Sequence, residues 1–463
     1  MIILKELKPY NESVLLEEFN IDRYELNEIL KILEAKKIVK YNLKNEIQFV
    51  YVGIIVVNHK LMFILPKYIL CATRKEELSH MRNIVRLLNE FSEREKLEES
   101  DIEDINLEQE TLVSNLIAII SFLLDDYIEN GLYQNEIDVI EFNGDGDINW
   151  DKTIDQIYPV VIGDQWLYAD LITSKSSIDY KQFITLLHGR VINECIDFFN
   201  STGLNEILSY DLDIIDNVID NMEEIDKIER ELEKEIVIQF NDRKRRVLYA
   251  IKSYLERKSG LSDTKLLLYG TRNFKWIWEI VCGHIFDNEF VKKGTKSKYE
   301  VFGIESPKWN IGNEKDLKIN DIEMKKNRLT PDILKVIIKD NIKYLLILDA
   351  KYYNVKLRGS KIQGSPGIED ITKQYLYHSA LKNYIEDNKI DKVLNAFLVP
   401  TQTKTYVQGE VFLDFMRMYS NTDIKLMKLN VNEVIDMYSN NKKYNFDDFI
   451  TLLENYGCDE SDL

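Results

Sequence analysis

Apolar residues follow two different periods along the first 85 residues of the chain. Residues 15–19 and 26–33 place apolar side chains at helical spacing, which predicts two short helices. The continuous apolar runs Ile47–Val57 and Leu61–Leu65 predict two strands of a hairpin. This order predicts a small N-terminal α/β domain over residues 1–85, which is either similar to a DNA-reading winged helix or a generic helical hairpin beside strands.

Helical patterns dominate residues 86–240 and predict a mostly helical middle region. From residue 241 onwards, helical patterns alternate with short runs of β-branched and aliphatic residues, among them Val393–Val399. This alternation predicts a C-terminal domain over residues 241–463, with a mixed sheet flanked by helices. The predicted fold class is therefore α+β with several domains.

One predicted hairpin brings charged residues together. The apolar runs Ile333–Ile338 and Ile342–Leu348 are separated by a polar turn. If Asp340 and Asn341 form a two-residue loop, counting outward places Asp332 directly opposite Asp349. Opposed residues project from the same face, with β-carbons about 5 Å apart. Because side chains alternate along a strand, Lys351 lies on the face of Asp349.

Two carboxylates at this distance repel each other unless a divalent cation bridges them. Hard oxygen ligands suit Mg²⁺, for which Mn²⁺ can substitute. Lys351 can then hold the attacking water or neutralise charge on a scissile phosphate. Asp332 and Asp349 are therefore candidate metal ligands, and Lys351 is a candidate catalytic residue. The alternative is an edge hairpin whose ends carry ordinary solvated charges.

Three other residues are candidates on neighbouring helices. Glu279 flanks an apolar helical stripe and could supply a third acidic group, or be a plain surface residue. Gln374 and His378 lie one turn apart on a predicted helix and share a face. Near a phosphate they could orient the substrate or a metal-bound water; otherwise they are ordinary helix residues.

The charge of the chain is uneven. Its net charge of −19 is unfavourable for binding DNA, because basic side chains supply most of that affinity. From Phe290 to Gln363, however, 17 Lys and Arg face 9 Asp and Glu, a local +8 that leaves −27 elsewhere. This window surrounds the carboxylate hairpin, and it is either a DNA-binding surface or a solvated face.

The cysteine positions and the hydropathy of the chain indicate in which cellular compartment the protein is expected. Cys71, Cys195, Cys282 and Cys458 are far apart in sequence, which fits a reducing cytoplasm better than a zinc site or a disulfide scaffold. The N-terminus has neither a basic leader nor a long apolar region, so we expect no signal peptide, and no membrane contact.

Several motifs resemble known nucleases. Pro331-Asp332, then Asp349-Ala-Lys351, between a Glu-bearing and a Gln-bearing helix, resemble the PD-(D/E)XK nuclease superfamily. Over most of the chain, Phe49–Ile55, Ile64–Lys67 and Gly146–Ile154, together with the helix that carries Glu279, are similar to the LlaJI-type, McrC-like restriction subunits.

The resemblance implies a PD-(D/E)XK fold and Mg²⁺-dependent cleavage of double-stranded DNA, in a modification-dependent or site-specific restriction system. It assigns metal binding to Asp332, Asp349 and Glu279, and catalysis to these residues with Lys351 and Gln374. His378 stands where related nucleases often have a tyrosine four residues after the glutamine.

The resemblance also implies a partner, a separately encoded McrB-like AAA+ GTPase that contacts residues 1–240. The chain has no complete Gly-x4-Gly-Lys-Ser/Thr loop, which is consistent with a motor supplied by another protein. The alternative to a nuclease is a non-catalytic adaptor, in which a degenerate nuclease fold binds DNA or the motor without cutting.

Overall fold

The computed structural model of the chain describes residues 1–58, 60–70, 73–97, 116–178, 183–208, 210–216, 218, 225–261, 266–291, 293–306, 328–358, 361–417 and 422–456. Cys71, Cys458 and part of the basic window lie outside these residues; Cys195 and Cys282 are buried free thiols. Within the described ranges, no helix combines the length and apolar character needed to cross a membrane.

The strands in chain order are β1 (Ile2–Lys5), β2 (Pro9–Tyr10), β3 (Val39–Tyr41), β4 (Ile47–Phe49), β5 (Val52–Val57), β6 (Lys60–Leu65), β7 (Glu136–Phe142), β8 (Asp147–Ile148), β9 (Val160–Ile162), β10 (Gln165–Leu167), β11 (Ile172–Ile178), β12 (Leu266–Thr271), β13 (Ile333–Lys339), β14 (Ile342–Ala350), β15 (Lys356–Arg358), β16 (Lys361–Gln363), β17 (Lys392–Thr401), β18 (Tyr406–Val411) and β19 (Ile424–Asn430).

The helices in chain order are α1 (Glu12–Phe19), α2 (Arg23–Ala35), α3 (Arg74–Leu97), α4 (Leu116–Asn130), α5 (Trp150–Gln156), α6 (Phe183–Thr202), α7 (Asn205–Leu208), α8 (Ile225–Ile238), α9 (Asp242–Leu261), α10 (Phe274–Ile285), α11 (Lys298–Phe302), α12 (Ile368–Ala380), α13 (Lys382–Asp387), α14 (Val431–Ser439) and α15 (Phe446–Glu454). The predicted α+β class is confirmed.

The chain divides into two compact units. The first consists of Met1–Ile55, Met62–Val113 and Gly270–Leu463, and the second of Val56–Leu61 and Ser114–Tyr269. The first unit thus joins segments from both ends of the chain. The three domains at residues 1–85, 86–240 and 241–463 stay a prediction about the boundaries.

The central sheet of the first unit has the strand order β13-β14-β17-β19-β18. Strands β14, β17 and β19 are parallel, whereas β13 and β18 run antiparallel at the two edges. The central strands are almost continuously apolar because helices cover their faces. The predicted apolar stripe of α10 is buried from Phe274 to Ile285, as expected for a core-facing helix.

The N-terminal part of the first unit contains the predicted pair of helices, α1 and α2. Asp22 caps α2 by accepting a hydrogen bond from the backbone N–H of Glu25, at 2.8 Å. Strands β2, β4 and β3 form a small antiparallel sheet beside the helices. The interpretation of these two helices and three strands as a winged helix, rather than as a generic helical hairpin beside strands, stays a prediction.

Helices predominate in the second unit, but residues 136–178 form strands that the sequence analysis did not predict. Strand β11 pairs with β7 over seven residues and with β8 at its start. Strands β9 and β10 form a separate hairpin. The prediction of a mostly helical middle region is therefore incomplete. Apolar and polar residues alternate from Glu136 to Val139, which favours a strand, whereas Ile172–Ile178 has no such alternation.

The helices of the second unit enclose a buried polar network. His188 is fully buried, and its Nδ1 accepts a hydrogen bond from the backbone N–H of Tyr133 at 2.9 Å. The Tyr133 hydroxyl donates to Glu235 at 2.6 Å. Burial lowers the pKa of His188 to about 4, so this imidazole is neutral in the folded chain at neutral pH.

We expect the second unit to lose stability as the pH falls from about 6.5 to about 4, because the unfolded chain binds a proton on His188 that the folded chain excludes. The substitution His188→Asn keeps an acceptor for the Tyr133 N–H but cannot titrate. Between pH 7.5 and pH 5.5, the free energy of unfolding in urea should fall by about 1 kcal/mol more in the wild type than in the variant. Equal losses would contradict this role of His188.

Candidate active site

The charged residues of the site depend on the hairpin β13–β14. The turn has the predicted length: Asp340 and Asn341 have φ values of 52° and 63°, and Lys339 pairs with Ile342. Two successive left-handed residues form the hairpin turn whose twist matches that of the strands. The predicted register is confirmed, because it continues to Ile333 opposite Leu348 and so leads to Asp332 and Asp349.

Asp332 is held at the start of β13 by two backbone contacts. Its carboxylate accepts a hydrogen bond from the backbone N–H of Ala350 at 2.9 Å. The Asn288 side chain donates to the Asp332 carbonyl at 2.9 Å and accepts from the Leu334 N–H at 3.0 Å. These contacts fix the carboxylate beside the end of β14, which carries the other acidic residue.

Lys351 connects the carboxylates of two elements. Its Nζ lies 2.8 Å from Asp349 Oδ2 and 3.0 Å from Asp370 Oδ1, and all three side chains are largely buried. Burial alone would lower the pKa of Lys351, but Asp349 and Asp370 together raise it above its usual value. Lys351 is therefore a charged ammonium at neutral pH.

The negative charges of neighbouring acidic side chains make ionisation of Asp332 less favourable and so raise its pKa. Burial raises the pKa of Asp332 well above its usual value, and the nearby charges of Asp349 and Glu279 raise it further. Burial also raises the pKa of Glu279, which forms an ion pair with Lys275 at 3.4 Å. A site that concentrates negative charge in this way is suited to a cation.

Gln374 and His378, which were predicted to share a face of one helix, have different surroundings on α12. Gln374 is fully buried, and neither atom of its amide has a hydrogen-bond partner among the described residues. His378 instead lies with its Nδ1 3.3 Å from the Thr422 hydroxyl. The cause that lowers the pKa of His378 is burial, and no charge of the site contributes.

The sequence analysis missed two residues of α12. Asp370 lies one helical turn before Gln374 and contacts Lys351 directly; this four-residue spacing was a signal that could have revealed it. Tyr377 donates from its hydroxyl to the Thr330 carbonyl at 3.0 Å. Burial raises the pKa of Tyr377, and the charges of Asp349 and Asp332 raise it further, so this phenol lies near the carboxylates.

The donor set fits a magnesium ion that keeps part of its water shell. No three His, Cys, Asp or Glu side chains in the described part of the chain are grouped as a ready metal cage. Mg²⁺ is, however, usually bound by one or two carboxylates and retains several waters. Asp332 and Asp349 match that requirement, and the unpaired Gln374 amide is the type of group that orients a metal-bound water. Glu279 as a further ligand stays a prediction.

The chain resembles proteins of restriction systems. The model of the LlaJI restriction endonuclease family matches residues 51–436. The chain is 32% identical over 439 residues to Type II restriction enzyme BsuMI component YdjA of Bacillus subtilis (strain 168), which covers 92% of this chain and 88% of that protein.

A solved structure is similar along almost the whole length. It is a refined half-complex from the tetradecameric assembly of Thermococcus gammatolerans McrB AAA+ hexamers with bound McrC. The match covers 95% of this chain and 99% of the other, with 13% sequence identity and a TM-score of 0.38.

Proposed function

This chain belongs to the LlaJI restriction endonuclease family, and from that premise we propose that it is the nuclease subunit of a modification-dependent or site-specific restriction system acting in phage defence. It hydrolyses phosphodiester bonds of double-stranded DNA with Mg²⁺ or Mn²⁺, in a domain of the PD-(D/E)XK fold. The observation that carries the proposal is the convergence of Asp332, Asp349 and Lys351 at one end of the hairpin.

Each residue has a distinct task in this proposal. Asp332 and Asp349 hold the cation, which when bound polarises the phosphate and makes a water more acidic. Lys351 stays protonated, so it stabilises negative charge on the scissile phosphate rather than removing a proton. Glu279 would be a further ligand of the cation, Gln374 would orient a water beside it, and Asp370 positions the Lys351 ammonium.

The decisive experiment is plasmid cleavage with Mg²⁺ by this chain, co-purified with the product of its neighbouring gene, with and without GTP. We expect cuts that require both GTP and Asp349, and none from Asp349→Ala, although that variant still folds and binds the partner. Cleavage that survives Asp349→Ala would overturn the assignment of the site.

Calorimetry with Mn²⁺ separates the nuclease from the adaptor without any DNA. A nuclease site should bind Mn²⁺ and lose that binding in Asp332→Ala. An unchanged isotherm in this variant would favour the adaptor, in which the carboxylates have no metal to hold.

We propose further that the chain works with an McrB-like AAA+ GTPase, as the family resemblance implies. An exposed apolar hairpin in the second unit supports a protein partner. On β9 and β10, Val161, Ile162 and Trp166 are 60%, 63% and 70% exposed, and Tyr158 just before them is 95% exposed. Contiguous exposed apolar side chains of this kind mark interaction surfaces.

Trp166→Ser combined with Val161→Ser should weaken binding of the AAA+ protein about 30-fold or more, since a buried aromatic anchor contributes about 2 kcal/mol or more to an interface. Surface plasmon resonance with the immobilised partner measures this loss. The matched control is Ile362→Ser, which removes an equally exposed apolar residue from β16 in the first unit. Equal affinities for the two variants would exclude the hairpin from the interface.

A further inference from the structure

A short basic hairpin extends from the small sheet of the first unit. Strands β3 and β4 pair from Val39 opposite Phe49 to Tyr41 opposite Ile47. The Asn42 side chain accepts hydrogen bonds from the backbone N–H groups of Lys44 and Glu46, both at 2.9 Å. These bonds give the loop a defined conformation. We call residues 36–49 the wing.

The wing is basic within an acidic chain. Its lysines are Lys36, Lys37, Lys40 and Lys44, against the single acidic residue Glu46, whereas the whole chain has a net charge of −19. All four lysines are exposed, and none forms an ion pair with another described residue. The Glu46 carboxylate is already bonded to the Asn42 amide at 2.8 Å. The wing therefore has a net charge of +3, and its lysines are exposed to solvent.

Two hydrogen bonds tie the wing to other segments of the first unit. The Arg272 guanidinium donates to the Lys36 carbonyl at 3.4 Å. Arg272 lies just before α10, the helix that carries Glu279. The Gln48 amide also donates to the carbonyl of Leu7 at 2.8 Å, two residues after β1 ends. The wing is thus a fixed neighbour of the helix that contributes to the site.

Lys67 continues the positive charge toward the catalytic strand. Its ammonium lies 4.3 Å from the centre of the Tyr352 ring, and its carbonyl accepts from the Asn354 amide at 3.0 Å. Tyr352 directly follows Lys351. Burial lowers the pKa of Lys67, and although Glu6 opposes this, the charges of Lys275 and Lys40 add to the lowering.

We propose that the wing, Lys67 and Lys275 bind the phosphate backbone of double-stranded DNA and guide it to the Asp332–Asp349–Lys351 centre. The inference rests on the proposed function, since it assigns a path to the same substrate. Lysines that neutralise phosphates release the counterions condensed on the DNA, and this release favours binding.

The charge pattern favours backbone contact over base reading by a helix. In a winged helix of the DNA-reading type, the second helix enters the major groove. Here α2 contains three glutamates, Glu25, Glu28 and Glu34, against Arg23 and Lys31, so the helix has no net positive charge to attract phosphates. The wing is the basic part of this domain, and lysine contacts to phosphate carry no sequence information.

The test is the salt dependence of DNA binding by the full chain in the absence of divalent metal. Binding is measured by the fluorescence anisotropy of a labelled duplex. A plot of log affinity against log salt concentration has a negative slope. In Lys40→Gln/Lys44→Gln we expect this slope to become less steep by about 2, since each lost phosphate contact removes about 0.9 from its magnitude. The matched control Lys382→Gln/Lys442→Gln removes the same charge from exposed positions on other elements and should keep the wild-type slope.

Four outcomes are informative. A smaller slope in the wing variant alone supports the proposal. Equal slopes in wing and control variants overturn it, as does a wing variant that keeps its DNA affinity but no longer binds the AAA+ protein. Because this assay needs no cleavage, a chain that binds DNA through the wing yet fails to bind Mn²⁺ would contradict the proposed function and leave the wing assignment intact.

Discussion

Replacing Asp332 by asparagine should abolish DNA cleavage and also raise the free energy of unfolding. The variant loses one of two carboxylates proposed to hold the cation, so we expect cleavage to fall at least about 1,000-fold. In the folded chain, burial and the charges of Asp349 and Glu279 make ionised Asp332 unfavourable. Asparagine keeps the acceptor for the Ala350 N–H without that charge, and should gain about 1 to 2 kcal/mol of stability near neutral pH.

The stabilisation of the fold by Asp332→Asn should depend on pH. Since the pKa of Asp332 is raised in the folded chain, its ionisation destabilises the fold progressively as the pH rises above the unfolded value of 3.8. The stability gained by Asp332→Asn should therefore be small at that pH and largest above the folded pKa. Urea unfolding over this range measures it. Asp387→Asn, at an exposed position on α13, is the matched control and should change neither activity nor stability.

The same variant should separate metal binding from folding. Mn²⁺ should raise the melting temperature of the wild-type chain, because a ligand that binds only the folded state stabilises it. It should not raise that of Asp332→Asn. A variant that is more stable, still cuts DNA and still responds to Mn²⁺ would show that Asp332 is not a ligand.

Asp370→Asn should lower kcat for DNA cleavage about 10- to 100-fold with little change in KM, the range usual for residues that orient a metal ligand or its neighbour. In the wild type, the Lys351 ammonium is shared between Asp349 at 2.8 Å and Asp370 at 3.0 Å. Without the Asp370 charge, the ammonium pairs with Asp349 alone and competes with the cation for that carboxylate. Mn²⁺ affinity should therefore decrease together with kcat.

Two further variants distinguish positioning from a merely structural role for Asp370. Asp370→Glu restores the negative charge and should recover part of kcat. If Asp370 acted only through packing, restoring the charge would not recover kcat. Glu369→Gln removes a carboxylate from the neighbouring exposed position in the first turn of α12 and should be silent. If Asp370→Asn and Glu369→Gln had the same kcat, the proposed role of Asp370 would be wrong.

The β13–β14 hairpin could be predicted from residues that are close together in the sequence. Apolar runs bounded by Asp340 and Asn341 fix both the turn and the register, so the amino-acid sequence alone is enough to place Asp332 opposite Asp349. The apolar stripe of α10 was equally readable, because its 3.6-residue period is the signature of a buried helix face. In both cases the residues that decide the structure are close together in the chain.

Contacts between distant segments could not be predicted in this way. The Tyr352 hydroxyl donates to Glu6, a residue 346 positions away, and no periodicity in the sequence reports such a bond. The compact unit formed from both ends of the chain depends on contacts of this kind. Asp370 was missed for a related reason: its role depends on how α12 approaches β14, and the sequence of the helix alone does not contain that distance.

The two-residue turn of the hairpin has a consequence for sequence divergence. Surface loops ordinarily tolerate insertions and deletions, since their length has little effect on the rest of a fold. Here Asp349 lies eight residues beyond Asn341, about 25 Å along the strand. Adding one residue to the turn without compensation would slip the register and direct a carboxylate to the opposite face. We therefore expect relatives that retain cleavage to have the same number of residues between their two aspartates, even where the turn itself has entirely different amino acids.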